Sequence, residues 1–109
     1  MFTYNAELVK VVDGDTVDLK VDLGFDVFIE IRVRLYGVDT PETRTKDLAE
    51  KEKGLKAKQF VVESFEKNGN RCVINTIKDS KGKYGRYLGV IVFGEKVLNE
   101  MLKEEGLLK

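Results

Sequence analysis

The sequence predicts a mainly β fold of the α+β kind, and three observations predict it. About the first forty of its 109 residues alternate apolar and polar side chains at period two. One stretch near the middle switches to helical spacing, and two further apolar, β-branched runs follow it before a short final helix.

The elements follow in order. Residues 8–12 are apolar and mostly β-branched, and "DGD" at 13–15 is a turn signal. "TVDLKVDL" from Thr16 sets Val17, Leu19, Val21 and Leu23 against polar partners, and Gly24 with Asp26 marks a second turn. "VFIEIRVRLYGV" resumes the alternation, with Ile29, Ile31, Val33 and Leu35 on one face and Glu30, Arg32, Arg34 and Tyr36 on the other. These three runs make an antiparallel meander. Residues 43–53 turn polar and charged, which predicts an exposed loop. "GLKAKQFVVESFEKNGN" then spaces Leu55, Phe60, Val61 and Phe65 as one helical face, so a helix is expected from near Leu55 to the Asn68–Gly69 stop. "RCVINTIK" reads as a fourth strand, "DSKGKYG" as a glycine-rich basic loop, and "RYLGVIVF" as a fifth strand ending at the turn of Gly94 and Glu95. A last helix is expected from about Val97, with Leu98, Met101 and Leu102 on one face and Gly106 as its stop. Other small α+β folds share this order, but it favours the OB-fold, a five-stranded Greek-key barrel with a helix between strands 3 and 4 and a short C-terminal helix, closed so that no sheet edge is left open.

Length and composition predict one domain over residues 1–109. No apolar run approaches the roughly twenty residues of a membrane span, so no membrane partner is expected. "MFTYNAELVK" lacks a basic region followed by an apolar one, which favours the cytoplasm, or secretion if the chain is a mature form. The single Cys72 excludes an internal disulfide and reads as a small buried apolar side chain. Nineteen basic and nineteen acidic residues cancel, which argues against coating nucleic acid by bulk charge. The charges are unevenly spread: seven acids face two lysines over residues 1–30, and six bases face one acid over 67–86. A cation site beside an anion site fits that asymmetry.

There is no histidine, so the usual general base and the commonest zinc ligand are both missing. Catalysis would have to run on carboxylates, arginine, lysine, tyrosine or a bound oxygen-seeking cation. Pro41 ends the third ladder after Thr40, leaving Asp39 and Glu42 where a strand opens into a loop. "DGDT" at 13–16 does the same before the second strand. If the first three strands pair, Asp15 and Asp39 come close enough to hold one hard cation, although either turn alone is ordinary turn chemistry. Arg34 lies on the polar face of the strand that ends in Asp39, and Arg86 closes "KGKYGR", whose glycines let the backbone approach an anion. Arginine suits phosphate through its planar two-pronged donor set. Arg32, Arg44 and Arg71 are expected instead to pair with surface acids.

"VVDGDTV", "VRLYGVDTPET", a helix, "GKYGR" and "NEMLKEEGL" occur in that order, and together they resemble the thermonuclease family, calcium-dependent nucleases of the staphylococcal type, over nearly the whole chain. The resemblance implies an OB barrel with added helices. It also implies calcium held by the carboxylates of Asp15 and Asp39 and the carbonyl of Thr40, with Asp13 just outside the metal shell. Glu42 matches the residue that activates or orients the attacking water, Arg34 and Arg86 the pair that clamps the phosphate, and Lys83 and Tyr84 positions beside a terminal phosphate. DNA and RNA, preferably single-stranded, are the implied substrates, cut to 3′-phosphate and 5′-hydroxyl ends, with a monomer as the favoured state.

Three departures stand against that pattern. The loop "TRTKDLAEKEKG" after Glu42 is less basic than in relatives, and the chain ends with "EEGLLK", before the segment that carries nucleotide-contacting tyrosines in the secreted nucleases. Weaker phosphate contacts and poorer base stacking are expected. The hairpin between Asp15 and Arg34 is also longer than usual, which extends the sheet as a surface for a partner. The competing readings are a catalytically silent OB-fold module that binds nucleic acid or protein, and an assembly domain whose acidic and basic regions pair between copies. A silent module should have lost one of Asp15, Arg34, Asp39, Glu42 or Arg86, and all five are present.

Overall fold

In the computed structural model, which describes residues 2–81 and 87–109 and the main chain alone over 78–81, the expected meander forms. Strands β1 (Thr3–Asp13), β2 (Thr16–Asp22) and β3 (Phe28–Leu35) pair antiparallel in sequence. Helix α1 (Leu48–Lys67) leads to β4 (Arg71–Lys81) and β5 (Tyr87–Phe93). A two-residue strand β6 (Lys96–Val97) runs into helix α2 (Leu98–Glu104). β4 pairs with β1 and with β5, and residues 33–35 of β3 lie parallel to residues 87–89 of β5. That last pairing closes the five long strands into the Greek-key barrel of the OB-fold.

The barrel closes because the alternation buries one face. Val17, Leu19, Val21, Val33 and Leu35 from β2 and β3 meet Ile74 and Ile91 from β4 and β5, all of them fully or almost fully out of solvent. Helix α1 adds Val61 and Phe65, the latter edge-on to Phe93 with ring centroids 5.0 Å apart, and α2 adds Leu98 and Leu102. Each large side chain so buried contributes about 1.5–3 kcal/mol relative to leaving it in water. No helix among the described residues is long and apolar enough to cross a membrane.

Three local differences from the sequence reading have physical causes. β1 begins at Thr3 rather than Leu8, because Tyr4 and Ala6 alternate inward and residues 3–7 pair with β4. Two bulges then interrupt β1, between Leu8 and Lys10 and between Val11 and Asp13. The first shifts the alternation so that Val11 rather than Lys10 faces the core, a shift a simple period-two pattern does not describe.

Helix α1 begins at Leu48, a full two turns before the expected start near Leu55. Asp47 caps it, its carboxylate accepting from the amides of Ala49 at 3.0 Å and Glu50 at 3.3 Å. Its first turns face water, so they carry no apolar periodicity to reveal them.

The inward face expected for β3 is also only partly buried. Val33 and Leu35 are fully enclosed, but Ile29 is 42% exposed, because its end of the hairpin extends past the closing pair with β5.

Candidate active site

The site is built where β1 turns into β2 and where β3 opens into its loop. The second β1 bulge and the tight turn at Gly14 aim Asp13 and Asp15 toward the end of β3. Gly14 lies against other segments: a Cβ there would stand 2.7 Å from the Ala57 Cβ and 2.9 Å from the Thr40 Oγ1, so no larger residue fits without displacement. Asp15 is buried, and its two ends hold the neighbouring chain. Its carbonyl accepts from the amide of Leu35 at 2.8 Å, while its Oδ2 accepts from the amide of Thr40 at 3.2 Å. Its Oδ1 accepts from the hydroxyl of Thr16 at 3.0 Å.

The cross-strand partner of Thr16 is Arg34, which brings that guanidinium beside Asp15. The Nη2 of Arg34 lies 3.9 Å from Asp15 Oδ2 and 3.5 Å from Asp39 Oδ1. After β3 the chain turns at Gly37, whose φ of +72° suits glycine, and buried Val38 anchors the segment. Asp39 projects into solvent while its carbonyl accepts from the amide of Lys109 at 2.7 Å. Pro41, with no amide hydrogen, follows the buried Thr40 and leaves Glu42 exposed. The hydroxyl of Thr43 donates to Asp13 Oδ1, so the loop past Glu42 is tied back to the first acidic turn.

One cleft of about 300 Å³ is lined by Asp13, Asp15, Arg34, Asp39, Thr40, Pro41, Glu42 and Arg44. The structure thus brings together Asp13, Asp15, Arg34, Asp39, Thr40 and Glu42. Lys83, Tyr84 and Arg86 lie outside the described residues.

Arg44 was expected to pair with a surface acid; it lines the cleft and has no ion-pair partner among the described residues. Its place two residues after Glu42 is the signal that points to it. Arg71 likewise has no acid partner among the described residues, whereas Arg32 pairs with Asp18 at 2.8 Å as expected. Thr43, whose bond to Asp13 closes the loop, had no signal beyond its place in "DTPET".

The donor set decides what the cleft can hold. Asp15 and Asp39 supply carboxylate oxygens, and each oxygen of Asp15 keeps a second lone pair after accepting its hydrogen bond. Thr40 adds a main-chain carbonyl, and neither sulfur nor imidazole is near, since the free Cys72 is buried in the barrel. An all-oxygen set of this kind fits a hard cation such as calcium and disfavours zinc or copper. Among the described residues no group of three or more His, Cys, Asp or Glu side chains reaches metal-binding geometry, so water would complete most of the shell. Arg34, between two carboxylates yet partly exposed, is placed to offer its free N–H groups to an anion.

Comparison with known proteins bears on this cleft. The profile of the family described as staphylococcal nuclease homologues matches residues 32–109. The chain is 35% identical to a thermonuclease of Staphylococcus intermedius, over 92% of this chain and 55% of that protein. It is 30% identical to a thermonuclease of Staphylococcus hyicus, over 94% of this chain and 57% of that protein. An uncharacterised protein of Methanocaldococcus jannaschii is 37% identical over 81% of this chain and 48% of its own length. The chain therefore spans about half the length of the curated relatives it matches.

Proposed function

The chain belongs to the staphylococcal nuclease homologues, and from that premise we propose that it hydrolyses phosphodiester bonds of DNA and RNA with calcium bound, leaving 3′-phosphate and 5′-hydroxyl ends. The observation that carries the reading is the convergence of Arg34 with the carboxylates of Asp15 and Asp39 in a cleft that Glu42 also lines.

Calcium would be held by the carboxylates of Asp15 and Asp39, the Thr40 carbonyl and water, and when bound it supplies positive charge that polarises the phosphate. Asp13, tied to Thr43, keeps the loop beside that position. Arg34 donates to the phosphoryl oxygens, and its contribution grows as charge builds on them in the transition state. Arg86 matches the second donor of the pair, with Lys83 and Tyr84 beside a terminal phosphate. Glu42 accepts a proton from the attacking water, whose oxygen bonds to phosphorus as the bond to the 5′ oxygen breaks. The departing oxygen takes its proton from solvent, because a guanidinium is too weak an acid to surrender one. A single strand is the proposed substrate in preference to a duplex.

Incubation of the purified protein with single-stranded DNA and calcium tests this. Cleavage is expected to stop with chelator and in Glu42→Ala or Arg86→Ala. Intact substrate at mildly alkaline pH with calcium present would overturn the nuclease reading in favour of a binding module.

A further inference from the structure

We propose that Gly54 is a positioning residue for the cleft: its missing side chain lets α1 lie flat on the backbone of Pro41 and Glu42 and so sets where Glu42 and Thr40 stand. The inference rests on the nuclease reading for its catalytic consequence, though the contact exists without it.

Glycine is a poor choice well inside a twenty-residue helix, where only proline is a worse helix former. Gly54 is nevertheless buried there. A Cβ built on it would stand 2.6 Å from the Glu42 carbonyl oxygen, 2.7 Å from the Pro41 carbonyl oxygen and 2.8 Å from the Glu42 carbonyl carbon. All three are main-chain atoms, so no side-chain rotation relieves the contact. The loop or the helix must move. Three residues on, Ala57 lies on the same helix face. Fully buried, it faces Gly14, between Asp13 and Asp15. One face of α1 is thus the common floor of both acidic segments. Gly54 sets the height of the Glu42 loop, and Ala57 that of the Asp15 turn. The Thr40 carbonyl and the Glu42 carboxylate ride on the segment that Gly54 touches, whereas Arg34 stands on β3 and does not.

Gly54→Ala tests this, with Glu52→Ala, an exposed change on the same helix, as control. The expected result for Gly54→Ala is a folded protein with kcat down tenfold or more and KM for an oligonucleotide within twofold. Calcium affinity by titration calorimetry should fall several-fold, and amide shifts should concentrate at residues 40–43. The higher helix propensity of alanine by itself would not separate kcat from KM in this way. A folded Gly54→Ala with kcat and calcium affinity within twofold of the parent overturns the proposal. If that variant does not fold, Ala57→Gly replaces it; a two- to five-fold loss of kcat at constant KM is expected, and an unchanged kcat overturns the proposal. A parent protein that neither cuts nor binds calcium defeats the nuclease reading alone. The amide shifts at residues 40–43 in Gly54→Ala then decide the positioning role by themselves, and their absence overturns it.

Discussion

Asp15 and Thr40 are joined across 25 positions of sequence by one buried hydrogen bond, the Thr40 amide donating to Asp15 Oδ2 at 3.2 Å. The bond belongs to the fold and to the cleft together. It docks the segment after β3 onto the β1–β2 turn, and it orients the carboxylate that would meet calcium. Asp15→Ala removes the acceptor and leaves a buried amide without a partner, a loss of about 1–3 kcal/mol. Urea unfolding should show that destabilisation. Calcium should also cease to raise the thermal midpoint of the variant, since stabilisation by a ligand requires that the native state bind it.

Glu42 contrasts with Asp15 because it is exposed on the same cleft, so its role is separable from stability. Glu42→Gln keeps the shape and removes the proposed base. Activity is expected to fall by about 10²–10⁴-fold, the range for loss of a positioned general base. The urea midpoint should stay within error of the parent, and calcium affinity should change little. A variant that keeps more than a tenth of parental kcat would remove Glu42 from the proton transfer.

Much of this was legible in the sequence because each motif carries its own local reason. Period-two alternation placed β2 and β3, and once these pair, Thr16 lies opposite Arg34 and Asp15 beside the end of β3. What escaped was whatever depended on partners distant in sequence or on water. The first turns of α1 face solvent and show no apolar period, so the helix seemed to begin after Gly54 instead of around it. Gly54 thus stands at the edge of the expected helix, and only the backbone of Pro41 and Glu42 against it reveals its role. The bulges of β1 shift the alternation without any glycine to mark them. Arg44 and Thr43 gain meaning only from where the loop folds back.

The exposed pair of Arg32 and Asp18 gives stability an acid dependence. The hydrogen bond from Arg32 holds the Asp18 carboxyl below its ordinary value of 3.8; burial opposes it, and the charges of Arg32 and Lys10 add smaller lowering effects. A carboxyl whose folded pKa is depressed contributes stability above its unfolded pKa, and that contribution is lost as pH falls through the folded value. The pair should therefore stabilise fully above about pH 5 and fade below pH 4, consistent with an unfolded pKa near 3.9. Asp18→Asn should lower the urea midpoint at pH 7 slightly, since exposed pairs contribute about 0–1 kcal/mol. The two proteins should converge near pH 2. A difference that persists undiminished at pH 2 would assign the effect to packing.

Cys72 provides a probe of barrel opening. It lies on β4 opposite Ala6 of β1, and burial alone pushes its thiol up to about 12. At pH 8 the native thiolate fraction is then about 10⁻⁴, and the reactive species is the thiolate. An aromatic disulfide reagent should label the native protein only through states in which β1 and β4 have separated, and label it at once in 6 M guanidinium. At low reagent, where reclosing outpaces labelling, the rate follows the population of the open state, so Asp15→Ala should speed labelling in proportion to its loss of stability if Cys72 opens with the whole barrel. Equal labelling rates for parent and variant would show instead that the β1–β4 edge opens locally, without release of the Asp15–Thr40 contact.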